Sequence, residues 1–129
     1  MTDAAPHGEL HWTDDHAGET EGLHGRRCRT VIPADYPYFK GHFRGYPVMA
    51  GVVQLHELVL PCVRRLRPDL GALAGLSGLK FPERIGPGQA VEVLLRWKDE
   101  GPSVSFEIRR DALRCALGQL KFVQDGSAR

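Results

Sequence analysis

The chain has 129 residues, of which 42% are hydrophobic and 26% are charged, proportions typical of one soluble globular domain with a single core. The formal net charge is only +1, so we expect no whole-molecule attraction to nucleic acid or to an acidic membrane surface. The opening residues MTDAAPHGELHWTDDH contain neither a basic region nor an apolar run, which argues against a secretory signal and favours a cytoplasmic protein. The longest apolar stretch, residues 48–63, is interrupted by polar side chains and is too short to span a bilayer.

The first 25 residues are polar and show little periodicity, which indicates either a mobile tail or a loosely attached edge element. Polar and apolar residues then alternate from Arg27 to Ile32, which predicts a strand with one solvated face, and Pro33 ends it. A loop rich in Pro, Gly and aromatic residues follows over 34–50. We therefore expect one folded domain over residues 26–125, preceded by a separate polar segment over 1–25.

One long helix is predicted from Gly51 to Leu66. Apolar residues recur there at steps of three and four, and most of the remaining positions are apolar as well, so protein should surround the helix on most sides. Pro61 cannot donate a backbone hydrogen bond and should kink the helix.

The rest of the chain alternates in the manner of strands, at residues 73–81, 90–97, 104–108 and 113–123, with turns at 85–89 and 99–102. One apolar helix among several antiparallel strands predicts an α+β fold in which the sheet curls around the helix.

Cysteines and histidines are the residues that could indicate a redox or metal site. Cys28, Cys62 and Cys115 are odd in number and widely spaced, which favours reduced, mostly buried thiols over a disulfide framework or a zinc ribbon. A metal site built from His42, His56 and Glu57 is a weaker alternative, because no His-Glu-x-x-His helix motif is present. We predict no metal and no cofactor.

A family resemblance lies in the segment from Tyr36 to Gln54, YPYFKGHFRGYPVMAGVVQ. It resembles the signature of the β-hydroxyacyl-acyl-carrier-protein dehydratases: an aromatic residue, any residue, Gly-His-Phe-Pro-Gly, any residue, Pro, two apolar residues and Pro-Gly-Val. The later string LKFPERIGPGQ, residues 79–89, resembles the strand and Pro-Gly turn that follow the helix in that family. The Gln54-Leu55 pair and the short length resemble its aryl-polyene branch. The resemblance covers residues 27–124.

This resemblance implies a hotdog fold and the dehydration of a β-hydroxyacyl thioester, carried by acyl carrier protein or coenzyme A, to the trans-2-enoyl thioester in fatty-acid, lipid or polyene biosynthesis. In the family, the loop histidine is the base, which corresponds here to His42; histidine suits this role because its pKa is ordinarily near neutrality. The backbone N–H of Gly51, at the helix N-terminus, corresponds to the oxyanion donor.

The match departs from the family at the acid. The family has Glu or Asp fourteen residues after the loop histidine, where this chain has His56, and Glu57 is the next residue. Three hypotheses follow: His56 is the acid, Glu57 is the acid on a re-registered helix, or the acid is missing and the protein binds, hydrolyses or isomerises acyl thioesters. Glu57 could also be a structural partner of an arginine. Arg44 and Ala50 replace two prolines of the pattern, which softens the loop.

The resemblance also implies contacts with the substrate and the carrier. Substrate-binding residues are expected at four positions: Phe43, Tyr46, Pro47 and Val52. Basic residues that could steer an acidic carrier protein are Lys80, Arg84, Arg64 and Arg65, although solvated surface positions would explain them equally well. Hotdog domains pair through their sheets with the active site between subunits, so a homodimer or an assembly of dimers is expected.

Overall fold

The computed structural model describes residues 10–17, 22–36, 49–99 and 101–124. These residues form one antiparallel sheet of six strands in the order β1-β2-β4-β5-β6-β3. The strands are β1 (Thr13–His16), β2 (Leu23–Val31), β3 (Leu70–Lys80), β4 (Ala90–Lys98), β5 (Ser103–Arg110) and β6 (Leu113–Gln124). The predicted α+β class and the four C-terminal strands are confirmed, with each strand extending at most three residues beyond its predicted ends.

The central helix covers residues 51–66, as predicted, but it is not α-helical throughout. It begins as an α-helix at Gly51–Val53, continues as a π-helix at Gln54–Val59 and returns to an α-helix at Leu60–Leu66. In the π-helical segment each ring closed by a backbone hydrogen bond contains one more residue than in an α-helix, as in the bond from the Leu60 N–H to the Leu55 carbonyl. Pro61 follows directly, so the irregularity predicted at the proline lies in the turns before it.

The core lies between the helix and the inner face of the sheet. Alternate residues of the central strands are buried, including Val93 and Leu95 on β4 and Phe106 on β5. They belong to the same hydrophobic cluster as Leu58 and Val63 of the helix. The inward-facing side chains of the strands therefore pack against the apolar side of the helix. Burial of this cluster holds the helix against the sheet.

The polar segment over 1–25, for which the sequence left open a mobile tail or a loosely attached edge element, contributes an edge strand to the sheet. Its strand β1 pairs with residues 26–29 of β2 at the sheet edge, and Asp14 is ion-paired with Arg65 of the helix. β2 itself begins at Leu23, so the sheet starts earlier than the predicted boundary at residue 26. Polar residues suffice here because an edge strand is held largely by backbone hydrogen bonds.

All three cysteines are free and fully buried, in agreement with the prediction. Hydrogen bonding with Cys28, followed by burial, raises the pKa of the Cys62 thiol, and burial raises the pKa of the Cys115 thiol. Both effects disfavour the reactive thiolate. No helix in the described part of the chain is long and apolar enough to cross a membrane.

Candidate active site

The N-terminal end of the central helix has backbone N–H groups with no partner within the helix. Ala50 has an extended backbone and no side chain that could cap the helix, so the first N–H groups of the helix, including that of Gly51, lack an intrahelical partner. The dipole of the helix places partial positive charge at this end. Val52, one of the predicted substrate-binding residues, is 72% exposed here. An oxyanion and an apolar chain could therefore both be accommodated at this end.

Phe81, which follows β3, lies directly against Gly51. A Cβ atom built on Gly51 would lie 2.9 Å from the Phe81 ring, closer than side chains normally approach. The same segment is tied to the start of the helix by a 2.9 Å hydrogen bond from the Met49 N–H to the Ile85 carbonyl. Glycine is thus needed at position 51 for a close approach to an aromatic ring as well as for its place at the helix start.

His56 and Glu57, the two residues that compete for the acid role, are joined to each other. His56 Nδ1 lies 2.7 Å from Glu57 Oε2, and the Tyr36 hydroxyl donates to Glu57 Oε1 at 2.5 Å. The His56 side chain is 73% exposed, whereas that of Glu57 is only 16% exposed. The three side chains form a hydrogen-bonded series from the buried Tyr36 to the exposed imidazole, in which both carboxylate oxygens of Glu57 have a partner.

The π-helical segment explains why both residues reach this region. On an α-helix, consecutive side chains diverge by about 100°. The wider π turn moves Glu57 back toward the direction that position 56 would have on an α-helix. The hypothesis of a re-registered helix therefore has a structural basis, although His56 keeps the more exposed position.

Four predicted site residues, His42, Phe43, Tyr46 and Pro47, lie outside the described residues. The described residues on either side of this segment are both anchored beside the helix. Tyr36 bonds to Glu57, while the Met49 carbonyl accepts a 3.1 Å hydrogen bond from the side-chain amide of Gln54.

The four predicted steering residues divide into two pairs at opposite ends of the helix. Lys80 and Arg84 are exposed and lie on either side of Phe81, which packs against Gly51. Arg64 donates to the Leu70 and Gly71 carbonyls, and Arg65 is ion-paired with Asp14. Fourteen residues at 1.5 Å each place Arg65 about 20 Å along the helix from Gly51.

The described residues contain no group of three side chains that could hold a metal ion.

Sequence reasoning assigned no role to Tyr36 or Phe81. Both lie inside the strings that carry the family resemblance. Their contacts, with Glu57 and Gly51, join residues that are distant in sequence, and no periodic pattern of residues predicts such contacts.

Comparisons with known proteins agree with the motif. The profile of the ApeI-like family, described as ApeI dehydratase, matches residues 19–119. The 3-hydroxyacyl-[acyl-carrier-protein] dehydratase FabZ of Ruminiclostridium cellulolyticum is 30% identical over 100 residues, with a coverage of 70% for each chain. The FabZ of Thermus thermophilus is 36% identical over 102 residues, covering 71% of this chain and 72% of that one.

Solved structures show the same fold. The dehydratase heterocomplex ApeI:P from Xenorhabdus doucetiae matches with a TM-score of 0.70 at 19% identity, covering 86% of this chain and 98% of that one. The mouse thioesterase superfamily member 2 matches with a TM-score of 0.58 at 9% identity, covering 85% and 81%. The predicted hotdog fold is confirmed. With the profile match, these findings show that the chain belongs to the ApeI-like dehydratase family.

Proposed function

We propose that the protein dehydrates a β-hydroxyacyl thioester, carried by acyl carrier protein or coenzyme A, to the trans-2-enoyl thioester in fatty-acid, lipid or polyene biosynthesis. The exposed imidazole of His56, located at the family's acid position and hydrogen-bonded through Nδ1 to Glu57, is the observation that carries this proposal. The profile match and the FabZ relatives support the reaction class.

The reaction needs a base, an oxyanion donor and an acid. His42 takes the proton from Cα, and the electron pair moves toward the thioester carbonyl, whose oxygen accepts a hydrogen bond from the Gly51 N–H. The pair then returns to form the Cα–Cβ double bond while the Cβ–O bond breaks. His56 protonates the departing hydroxyl through Nε2, so that water leaves and the enoyl thioester remains.

Two features support His56 rather than Glu57 as the acid. The imidazole is exposed where a substrate would approach, whereas the Glu57 carboxylate is largely covered and both its oxygens already have partners. The bond between Nδ1 and Glu57 fixes the direction of the imidazole and leaves Nε2 as the nitrogen that can meet the substrate. In this scheme Glu57 orients the acid, and the doubly protonated ring donates the proton from Nε2.

The proposed assembly is a homodimer, with larger assemblies built from dimers. β3 is an edge strand that leads into Phe81 beside Gly51, and Leu76 on it is 45% exposed. Pairing of two copies along β3 would cover this edge and bring the helix N-terminus of one subunit close to the other. That arrangement fits a family in which base and acid come from different subunits.

Recognition of the carrier is proposed to depend mainly on Lys80 and Arg84. Both lie close in sequence to Phe81, which packs against Gly51 at the start of the helix, so their positive charges lie near the proposed oxyanion donor. Arg64 and Arg65 would contribute less, since they lie at the far end of the helix and already bind carbonyl groups and Asp14.

The test is incubation of a β-hydroxyacyl carrier protein with the protein, followed by mass spectrometry for loss of one water. We expect the His42→Ala and His56→Ala variants to lose about 100-fold or more in kcat, the usual contribution of an acid or base. His16→Ala, an exposed histidine on β1, is the matched control and should keep full activity.

Other outcomes separate the alternatives. Release of free acid instead of enoyl product would indicate a thioesterase. Binding without turnover would indicate an acyl-binding protein. Full activity of His56→Ala together with loss in Glu57→Gln would move the acid to Glu57.

A further inference from the structure

Tyr36 is a buried side chain that the proposed mechanism does not use. It is only 2% exposed, and its hydroxyl donates a hydrogen bond to Glu57 Oε1 on the central helix. Its own position is well supported: the Tyr36 N–H donates to the Pro33 carbonyl at 3.1 Å. The preceding Ile32 exchanges two backbone hydrogen bonds, of 2.9 and 2.8 Å, with Gln89 and Gly88. The phenol is therefore attached to a stable part of the fold.

We propose that Tyr36 is a positioning residue for the dehydration reaction: by binding one oxygen of Glu57, it presents the other oxygen to His56 Nδ1 and so fixes the direction of the acid's ring. This inference rests on the proposed function, because it assigns Tyr36 a role through His56. Tyr36 itself is not expected to touch the substrate.

The physical argument begins with the freedom of a glutamate side chain. Glu57 would have several rotamers on the helix surface, and restricting such a side chain costs conformational entropy. A hydrogen bond from a hydroxyl to an ionised carboxylate is about twice as strong as one between neutral groups. The bond to Tyr36 offsets the entropy cost and selects the rotamer in which Oε2 faces His56.

The bond between His56 and Glu57 lies within the π-helical segment. Both residues belong to Gln54–Val59, and His56 Nδ1 lies 2.7 Å from Glu57 Oε2. Tyr36 then holds Glu57 from the side away from the imidazole.

The Tyr36 hydroxyl bonds to the Glu57 carboxylate and is not placed against the acyl chain. Removing the hydroxyl should therefore lower the rate of the reaction rather than the binding of the acyl chain.

The test uses Tyr36→Phe, which keeps the buried ring and removes only the hydroxyl. We expect kcat to fall about tenfold with KM unchanged, and the NMR resonance of His56 Nδ1 to shift as its hydrogen bond to Glu57 weakens. Thr30→Val is the matched control, because it removes a buried hydroxyl that donates to the His11 carbonyl away from the site. It should leave kcat and the His56 resonances unchanged, even if it lowers the melting temperature as much.

A double-mutant cycle adds a readout that a purely structural role would not affect. In a Glu57→Gln background, Tyr36→Phe should cause little further loss of kcat, because the hydroxyl acts through the carboxylate. Equal losses in both backgrounds would overturn the proposal, as would unchanged kcat and unchanged His56 resonances in Tyr36→Phe. Absence of enoyl product from the wild-type protein, with the His56 resonances still shifted in Tyr36→Phe, would reject the dehydratase function and retain the positioning role.

Discussion

The two halves of the central helix differ in backbone geometry and in how far their apolar side chains are buried. In the first half, residues 51–57, Val52 and His56 are exposed, polar side chains bond to one another, and the backbone changes from α to π geometry. In the second half, residues 58–66, Leu58, Val59 and Val63 have no exposed surface, and the α-helix resumes.

This difference shows how a small domain can support a reactive site. The second half is immobilised by the core, and the first half continues from it, so the side chains of the site extend from a rigid element into an open region. Substitutions in the second half should therefore affect folding, and substitutions in the first half should affect turnover.

The largest effect is expected at Leu58. Replacing it with Ala removes a fully buried side chain and leaves a cavity, which should lower the free energy of unfolding by about 2–5 kcal/mol. Val52→Ala in the first half is the matched control and should change that free energy by less than about 0.5 kcal/mol. Chemical denaturation of both variants measures the contrast. Similar losses in the two variants would mean that the halves do not divide in this way.

A smaller effect, on activity rather than stability, is expected at Gly51. An alanine Cβ would displace the Phe81 ring from the helix start, so we expect kcat/KM to fall about tenfold, or about 1.4 kcal/mol. Stability should change little, because the ring is 40% exposed and can move outward. Gly75→Ala is the control, since a Cβ there meets no atom within 4 Å. Full activity of Gly51→Ala would show that the close approach of Phe81 is unimportant for turnover.

The smallest effect is expected from charge reversal at the two ends of the helix. Lys80→Glu, near the first half, should raise KM for a carrier-protein substrate by roughly threefold to tenfold and leave a small pantetheine thioester unaffected. Arg64→Glu, at the second half, should instead lower stability by about 1 kcal/mol through loss of its bonds to the Leu70 and Gly71 carbonyls. Steady-state kinetics at two salt concentrations would test the difference, and an equal rise in KM for both substrates would contradict steering at Lys80.

Much of the fold was predictable because it rests on patterns that are local in sequence. The period-two alternation at Val93 and Leu95 and the apolar helix over 51–66 both matched the structure. For edge strand β1 the sequence left a mobile tail and an edge element as alternatives, because its polar residues carry no such alternation and only its pairing with β2 decides between them. The contacts of Tyr36 with Glu57 and of Phe81 with Gly51 were not predictable for the same reason, since each joins distant parts of the chain.

The amino-acid sequence by itself determined the fold class, the family and the position at which this chain departs from that family, His56. The fold class follows from the periodicity of apolar residues, and the family and its departure follow from the spacing of residues in the motif. Only the tertiary structure decided how the departure is accommodated. Glu57 bonds to His56 within a π-helical turn, and Tyr36 holds the carboxylate from a distant part of the chain. Helix type and side-chain partnership depend on the packing of the whole domain around residues 54–59.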